Sequence, residues 1–288
     1  MNWLHILFMC ELYVILALSA NLLSGYTGLL SFANAAFYGL GAYVTTLSMK
    51  TLGFNYFASL LVAISFNVLA SLIVTYFSIR LKDLYFTLAT LALQVIVFSL
   101  LYNWEKVTGG SYGISEIPAV NVLGYQLRGT GDYSILGGVF ALLVISFFVL
   151  FRRTPFVRLL ECIRDRELGA VSLGKDISYY KFICNSLAAG FTAIAGSLFA
   201  VYSGFIDPTS FTLSESILIV NMILIGGTGN LIGPLFGACF YVMLPEVTRL
   251  VPINSSQGAS FQIIIYSLIL ILVVRFRPNG FFGKFRFQ

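Results

Sequence analysis

The chain has 288 residues, 58% hydrophobic and only 10% charged, with a mean hydropathy of +0.91 and a net charge of +5. A soluble domain carries about 25% charged residues. So few cannot cover a core this apolar, which makes lipid the solvent and excludes a soluble enzyme or a nucleic-acid-binding domain. The basic balance is that of membrane loops, which collect Lys and Arg on the cytoplasmic side.

A helix needs about 20 apolar residues to cross the hydrocarbon. The first such run, residues 4–23, has Glu11 in its middle and no basic stretch before it, so it reads as a span rather than a cleaved signal. It leads into residues 21–34, where Gly25, Gly28, Ser31 and Asn34 stand among further Ser, Thr and Asn. That density weakens a helix, and irregular backbone at membrane depth is tolerated only inside protein or beside water. Two readings stay open: a broken or re-entrant segment lining a pathway, or a loop between two spans.

Residues 35–49 predict a short, glycine-interrupted span, and 57–79 and 84–102 predict full ones. The interval 102–132 is too short for most independent domains, so 1–288 reads as one membrane domain. After the run 133–151 comes the stretch 154–175, the one charged amphipathic segment. Thr154 suits an N-cap and Pro155 the first helical position, with Phe156, Leu159, Leu160 and Ile163 on one face. It predicts either an interfacial helix at the headgroups or a docking helix for a soluble partner; periodicity does not separate them.

The span 182–202 keeps a small-residue surface of Gly190, Thr192, Ala193, Gly196 and Ala200. Runs 213–225 and 232–244 flank a break containing Gly226, Gly227 and Gly229, followed by a GxxxG of Gly233 and Gly237. Small residues let helices approach closely in lipid, so Gly190, Gly196, Gly233 and Gly237 are expected at packing contacts, within the chain or against a second subunit. No GKS or GKT follows the glycines, which argues against a phosphate loop. Run 261–274 gives the last of about nine spans. With the C-terminus inside, alternating through nine spans places 13 Lys and Arg inside and only Lys50, Lys106, Arg128 and Arg249 outside. N-terminus out and C-terminus in is the expected orientation.

Chemistry-bearing residues are sparse. Glu11 and Glu215 fall within spans and Asp207 and Glu246 near outer ends, with no repeated pattern of a proton relay. His5 is the single histidine, and Cys10, Cys162, Cys184 and Cys239 share no metal or disulfide spacing, so no metal site is expected. A transporter powered by another subunit fits this sparseness better than an enzyme does.

Five ordered segments, 21–43, 84–114, 158–174, 220–238 and 275–283, resemble LivM-type permeases of branched-chain amino acid ABC importers. The resemblance implies an all-α polytopic bundle of about 8–10 spans with one cytoplasmic coupling helix. It implies no catalytic residues and no cofactor on this chain, ATP and Mg being held by two cytoplasmic P-loop ATPase subunits. It also implies a second, different permease subunit, an extracytoplasmic solute-binding protein, and the bacterial-type cytoplasmic (inner) membrane. Glu167, Ala170 and Gly174 match the family's coupling motif, with Arg164 and Asp165 just before it. Ala33-Asn34 stand where many relatives have Gly-His, and Gly169 where Ala is usual. Urea and short-amide importers resemble the family too, so the cargo stays open between these and amino acids. A self-powered channel or secondary carrier is the alternative of a different class.

Overall fold

The computed structural model describes residues 3–78, 83–122, 125–127, 129–172 and 174–249, together with 268, 271, 275 and 280–282. Among the described residues, five helices are long and apolar enough to cross a membrane: α1 (Trp3–Thr27), α3 (Tyr56–Ser78), α4 (Asp83–Asn103), α6 (Thr130–Phe151) and α9 (Ile177–Ser203). Between them lie α2 (Asn34–Thr51), α5 (Glu105–Thr108), α7 (Pro155–Asp165) and α8 (Glu167–Ser172); α10 (Leu213–Gly226) and α11 (Ile232–Arg249) follow. The sole extended pairing among the described residues, apart from an Ile114–Ile206 bridge, is a hairpin of β1 (Asn121–Val122) and β2 (Tyr125–Gln126). The expected polytopic helical bundle is therefore the observed fold. The run 261–274 lies outside the described residues except for 268 and 271.

The apolar content divides by position. From Leu12 onward α1 is buried almost all round, packed by α6, α9, α10 and α11. A helix apolar on every side suits such a central place. By contrast α4 and α6 turn Leu88, Ile96, Leu100, Ile135, Leu142 and Leu150 outward. In water such faces would cost about 25 cal/mol per Å² of apolar surface, whereas hydrocarbon makes them harmless.

The glycines of α2 do not interrupt it. The helix is continuous for 18 residues, because its glycines serve close approach instead of a break. A Cβ at Gly41 would strike the Ala193 backbone of α9, and one at Gly196 would strike Tyr38 and Ala42 of α2. Ser19 of α1 donates to the Ala188 carbonyl at 2.8 Å and lies 2.6 Å from the Thr192 hydroxyl, joining α1 to α9. Polar side chains thus pair across the apolar interior, where an unpaired one would be costly.

The two ends of the bundle differ. One carries α5, the β1–β2 hairpin and the 3₁₀ turn Pro208–Phe211, tied together by the Ile114–Ile206 bridge and by Lys50 donating to the Ser115 carbonyl at 3.0 Å. The other carries α7 and α8, with Arg152, Arg153, Arg158, Arg164, Arg166 and Lys175 close by in sequence.

Candidate functional site

The two glycine-rich breaks and the amphipathic helix, far apart in sequence, meet at the α7 end. The first break is shorter than expected. Gly25 lies in the last two turns of α1, and the helix ends only at Thr27; non-helical backbone runs from Gly28 to Ala33. Gly25 is needed for proximity: a Cβ there would lie 2.6 Å from the Gly229 nitrogen in the second break. Gly28 supplies the turn itself, at φ +77°, where a Cβ is strained.

Beyond the turn the chain is fastened to α4. Thr87 donates to the Leu30 carbonyl at 3.1 Å, and the Phe32 amide donates to the Thr90 hydroxyl at 3.2 Å. Ser31 accepts from the Ala33 amide, and Asn34, already the first residue of α2, donates back to the Ser31 carbonyl at 3.0 Å.

The second break is where the sequence places it, one residue narrower. Gly226 closes α10, and residues 227–231 are non-helical, with Gly227 at φ +104° and Gly229 at +74°. Gly233 and Gly237 face Gly226 and Gly227 so closely that a Cβ on Gly233 would strike the Gly227 carbonyl. Their GxxxG therefore packs α11 on α10 within this chain. Gly196 packs α9 on α2, while Gly190 only meets Ile64 and Val68 side chains of α3 at 3.7 Å.

The residues that join these breaks were missed in the sequence. Buried Asn21, one helical turn before Gly25, donates to the Asn230 carbonyl at 3.0 Å and accepts from the Gly229 amide at 3.1 Å. The Asn230 side chain accepts from Arg152 at 3.3 Å and donates to the Phe282 carbonyl at 3.2 Å. The Phe281 and Phe282 amides donate to the Ile225 and Gly226 carbonyls at 3.0 and 2.9 Å. These are final carbonyls of α10, orphaned by geometry at any helix end, and the C-terminal turn satisfies them. The density of Asn beside Gly was the only sequence signal for this network.

The amphipathic segment is two helices, not one. α7 ends at Asp165, Arg166 is extended (φ −153°, ψ 92°), and α8 begins at Glu167. Val157, Leu160 and Ile163 form the buried stripe of α7, with Phe156 and Leu159 half-buried beside it. Thr154 has the extended backbone of an N-cap, but its hydroxyl donates to the Phe151 carbonyl. From α7, Arg164 reaches back to the bundle and donates through Nη1 to the Gly25 carbonyl at 2.7 Å and through Nε to Asp165 at 2.9 Å. Its side chain is 9% exposed against 58% for Asp165, so the cation is committed to the bundle and the carboxylate to the surface. On α8, Ala170 is fully buried, and Gly174 forms the turn after the helix at φ +69°.

Long apolar helices with lipid-facing flanks, enclosing glycine breaks keyed to an amphipathic surface helix, define a polytopic membrane protein. The chain belongs to the family described as "Branched-chain amino acid transport system / permease component", whose model matches residues 2–274. It is 28% identical over 292 residues to the high-affinity branched-chain amino acid transport system permease protein LivM of Escherichia coli (strain K12), covering 93% of this chain and 67% of that protein. It is 25% identical over 310 residues to the probable LivM of Methanocaldococcus jannaschii, covering 93% and 90%. A shorter similarity, 28% over 172 residues, covers 58% of this chain and 47% of the autoinducer 2 import system permease protein LsrC of Salmonella typhi. No solved structure matches.

Proposed function

We propose that the chain is the membrane-spanning permease subunit of an ATP-driven importer for branched-chain or related amino acids. The observation that carries this is the Arg164 bond to the Gly25 carbonyl, because it ties a solvent-facing helix to both glycine breaks. One of two cytoplasmic P-loop ATPases docks on α7 and α8, where Arg158, Asp165 and Arg166 are exposed, and the ATPases hold ATP and its magnesium. A second, different permease completes the membrane unit, and an extracytoplasmic solute-binding protein delivers the cargo to the hairpin end.

The orientation follows from charge. The α7 end gathers most of the arginines and the hairpin end has Lys50, Lys106 and Arg249 among the described residues, so the α7 end faces the cytoplasm of a bacterial-type inner membrane in this reading. When the ATPases close, α7 moves with them and carries the C-terminal end of α1 through Arg164. Asn21 then passes the displacement to the α10–α11 break, and irregular backbone lets these helix ends shift without bending the helices. The breaks around Gly28, Ser31 and Gly227 act as the hinges of the pathway in this reading.

The test is site-directed crosslinking in membranes that contain the permeases and a cognate ATPase. Arg158→Cys and Arg166→Cys are expected to crosslink to the ATPase, and Lys106→Cys at the hairpin end to remain uncrosslinked. ATPase capture from Lys106→Cys alone would overturn both docking and orientation. ATP-dependent uptake of urea but not leucine by the reconstituted system would overturn the cargo.

A further inference from the structure

Two carboxyl groups lie inside the bundle away from the α7 end, Glu11 on α1 and Glu215 in the first turn of α10. Among the described residues neither has a Lys or Arg within ion-pair distance. Carboxylates at membrane depth are costly and mark pathways unless something local explains them. For Glu11 the explanation is a recess: it sits in the space left by Gly137 and Gly138 of α6, where a Cβ on Gly137 would lie 2.7 Å from its Oε2. That oxygen is buried without a hydrogen-bond partner, closed off by helix backbone. Glu215 is set differently. The Tyr13 hydroxyl of α1 and the buried Tyr38 of α2 are close enough to interact with it electrostatically. Tyr241 of α11 stands edge-on to Tyr13 with ring centroids 5.5 Å apart. Four helices thus bring one carboxylate and three phenol rings together.

The neighbouring residue shows that this arrangement is not generic helix packing. Ser216 accepts from the Ala35 amide at 2.9 Å and donates to Gln94 at 3.2 Å, and Gln94 donates to the Phe211 carbonyl at 2.8 Å. That network closes on itself and leaves no charge. Glu215, one residue earlier, is half-buried and, among the described residues, has no cation within ion-pair distance. It lies 11 residues before Gly226, about 16 Å along α10 at 1.5 Å per residue, well separated from the α7 end.

We propose that Glu215, with Tyr13, Tyr38 and Tyr241, forms a membrane-embedded site for the α-ammonium group of an amino acid in transit. A carboxylate supplies the counter-charge, and aromatic faces around it favour a desolvated cation. The ammonium group leaves water for this site, and the aliphatic side chain meets the apolar walls. The assignment rests on the import reading above but names a group that reading does not use.

The experiment uses the complete importer in proteoliposomes, comparing wild type, Glu215→Gln, Glu215→Asp and Tyr13→Phe. ATP-driven uptake of L-leucine is expected to fall about tenfold or more in Glu215→Gln, to recover to within about threefold in Glu215→Asp, and to fall about threefold in Tyr13→Phe, as loss of a charge-assisted contact predicts. A second readout is labelling of carboxyls by a membrane-permeant carbodiimide, read by mass spectrometry. Excess L-leucine is expected to slow labelling at Glu215 and not at Glu11, while 4-methylpentanoate, the same skeleton without the amine, protects neither. Leucine uptake at the wild-type level in Glu215→Gln, or equal protection by 4-methylpentanoate, overturns the site while leaving amino-acid import intact. A wild-type importer that moves no branched-chain amino acid overturns the import reading and the site with it. If Glu215→Gln does not assemble, Tyr13→Phe and the protection pattern decide in the same terms.

Discussion

Removing the Arg164 side chain is expected to uncouple the surface helix from the bundle while leaving the bundle folded. Its guanidinium makes two contacts, and they are not equal. The Asp165 carboxylate is 58% exposed, and such surface pairs contribute about 0–1 kcal/mol. The bond to the Gly25 carbonyl is 2.7 Å long and comes from a side chain only 9% exposed; hydrogen bonds to charged groups contribute about 1.5–3 kcal/mol. Gly25 is also among the last four residues of α1, where a cation is favoured by about 0.3–1 kcal/mol. Arg164→Ala should therefore loosen α7 from α1 by about 2–3 kcal/mol, a factor of roughly 30 to 150 in the docked population. The assay is uptake in proteoliposomes set against ATP hydrolysed, together with hydrogen exchange over α7. The expected result is continued hydrolysis with at least tenfold less uptake per ATP, and faster exchange in α7. Asp165→Ala should change the same ratio by less than about threefold. Equal effects of the two substitutions, or a neutral Arg164→Ala, would refute the argument that the Gly25 bond transmits the motion.

The packing glycines separate into two classes. Gly233→Ala drives a Cβ into the Gly227 carbonyl, which cannot rotate away, so thermal unfolding in detergent should show a loss of about 1–3 kcal/mol. Gly190→Ala meets only side chains at 3.7 Å and should be neutral or stabilising by up to about 1 kcal/mol. Gln94→Leu removes the donor to the Phe211 carbonyl and the acceptor for Ser216; a loss of about 1–3 kcal/mol is expected in the same assay.

The long spans were legible because apolar length is a one-dimensional property, and α1, α3, α4, α6 and α9 follow from it. The second break was legible too, since Gly227 and Gly229 take backbone angles that favour glycine. Gly25 and the glycines of α2 misled because the same residue serves two ends. It breaks an isolated helix at about 1 kcal/mol, and it also permits the backbone contact that outweighs that cost. Nothing local distinguishes Gly25 from Gly28; the difference is Gly229 lying against the first and Arg164 against the second. The interruption at Arg166 escaped periodicity because residues 164–167 are all charged and offer no apolar position that would mark a break. Asn21 and Asn230 were invisible as a pair for the plainest reason, a separation of 209 residues.

That separation bears on how the chain is made. Synthesis at about 5–20 residues per second leaves α1 waiting roughly 10 to 40 seconds before residue 230 emerges. Throughout that interval the Asn21 carboxamide sits in a helix bound for the membrane interior without the partners that later enclose it. The nascent bundle must keep water or the insertion machinery beside this one side chain, so the junction that ties the two breaks together is also among the last parts of the molecule to close.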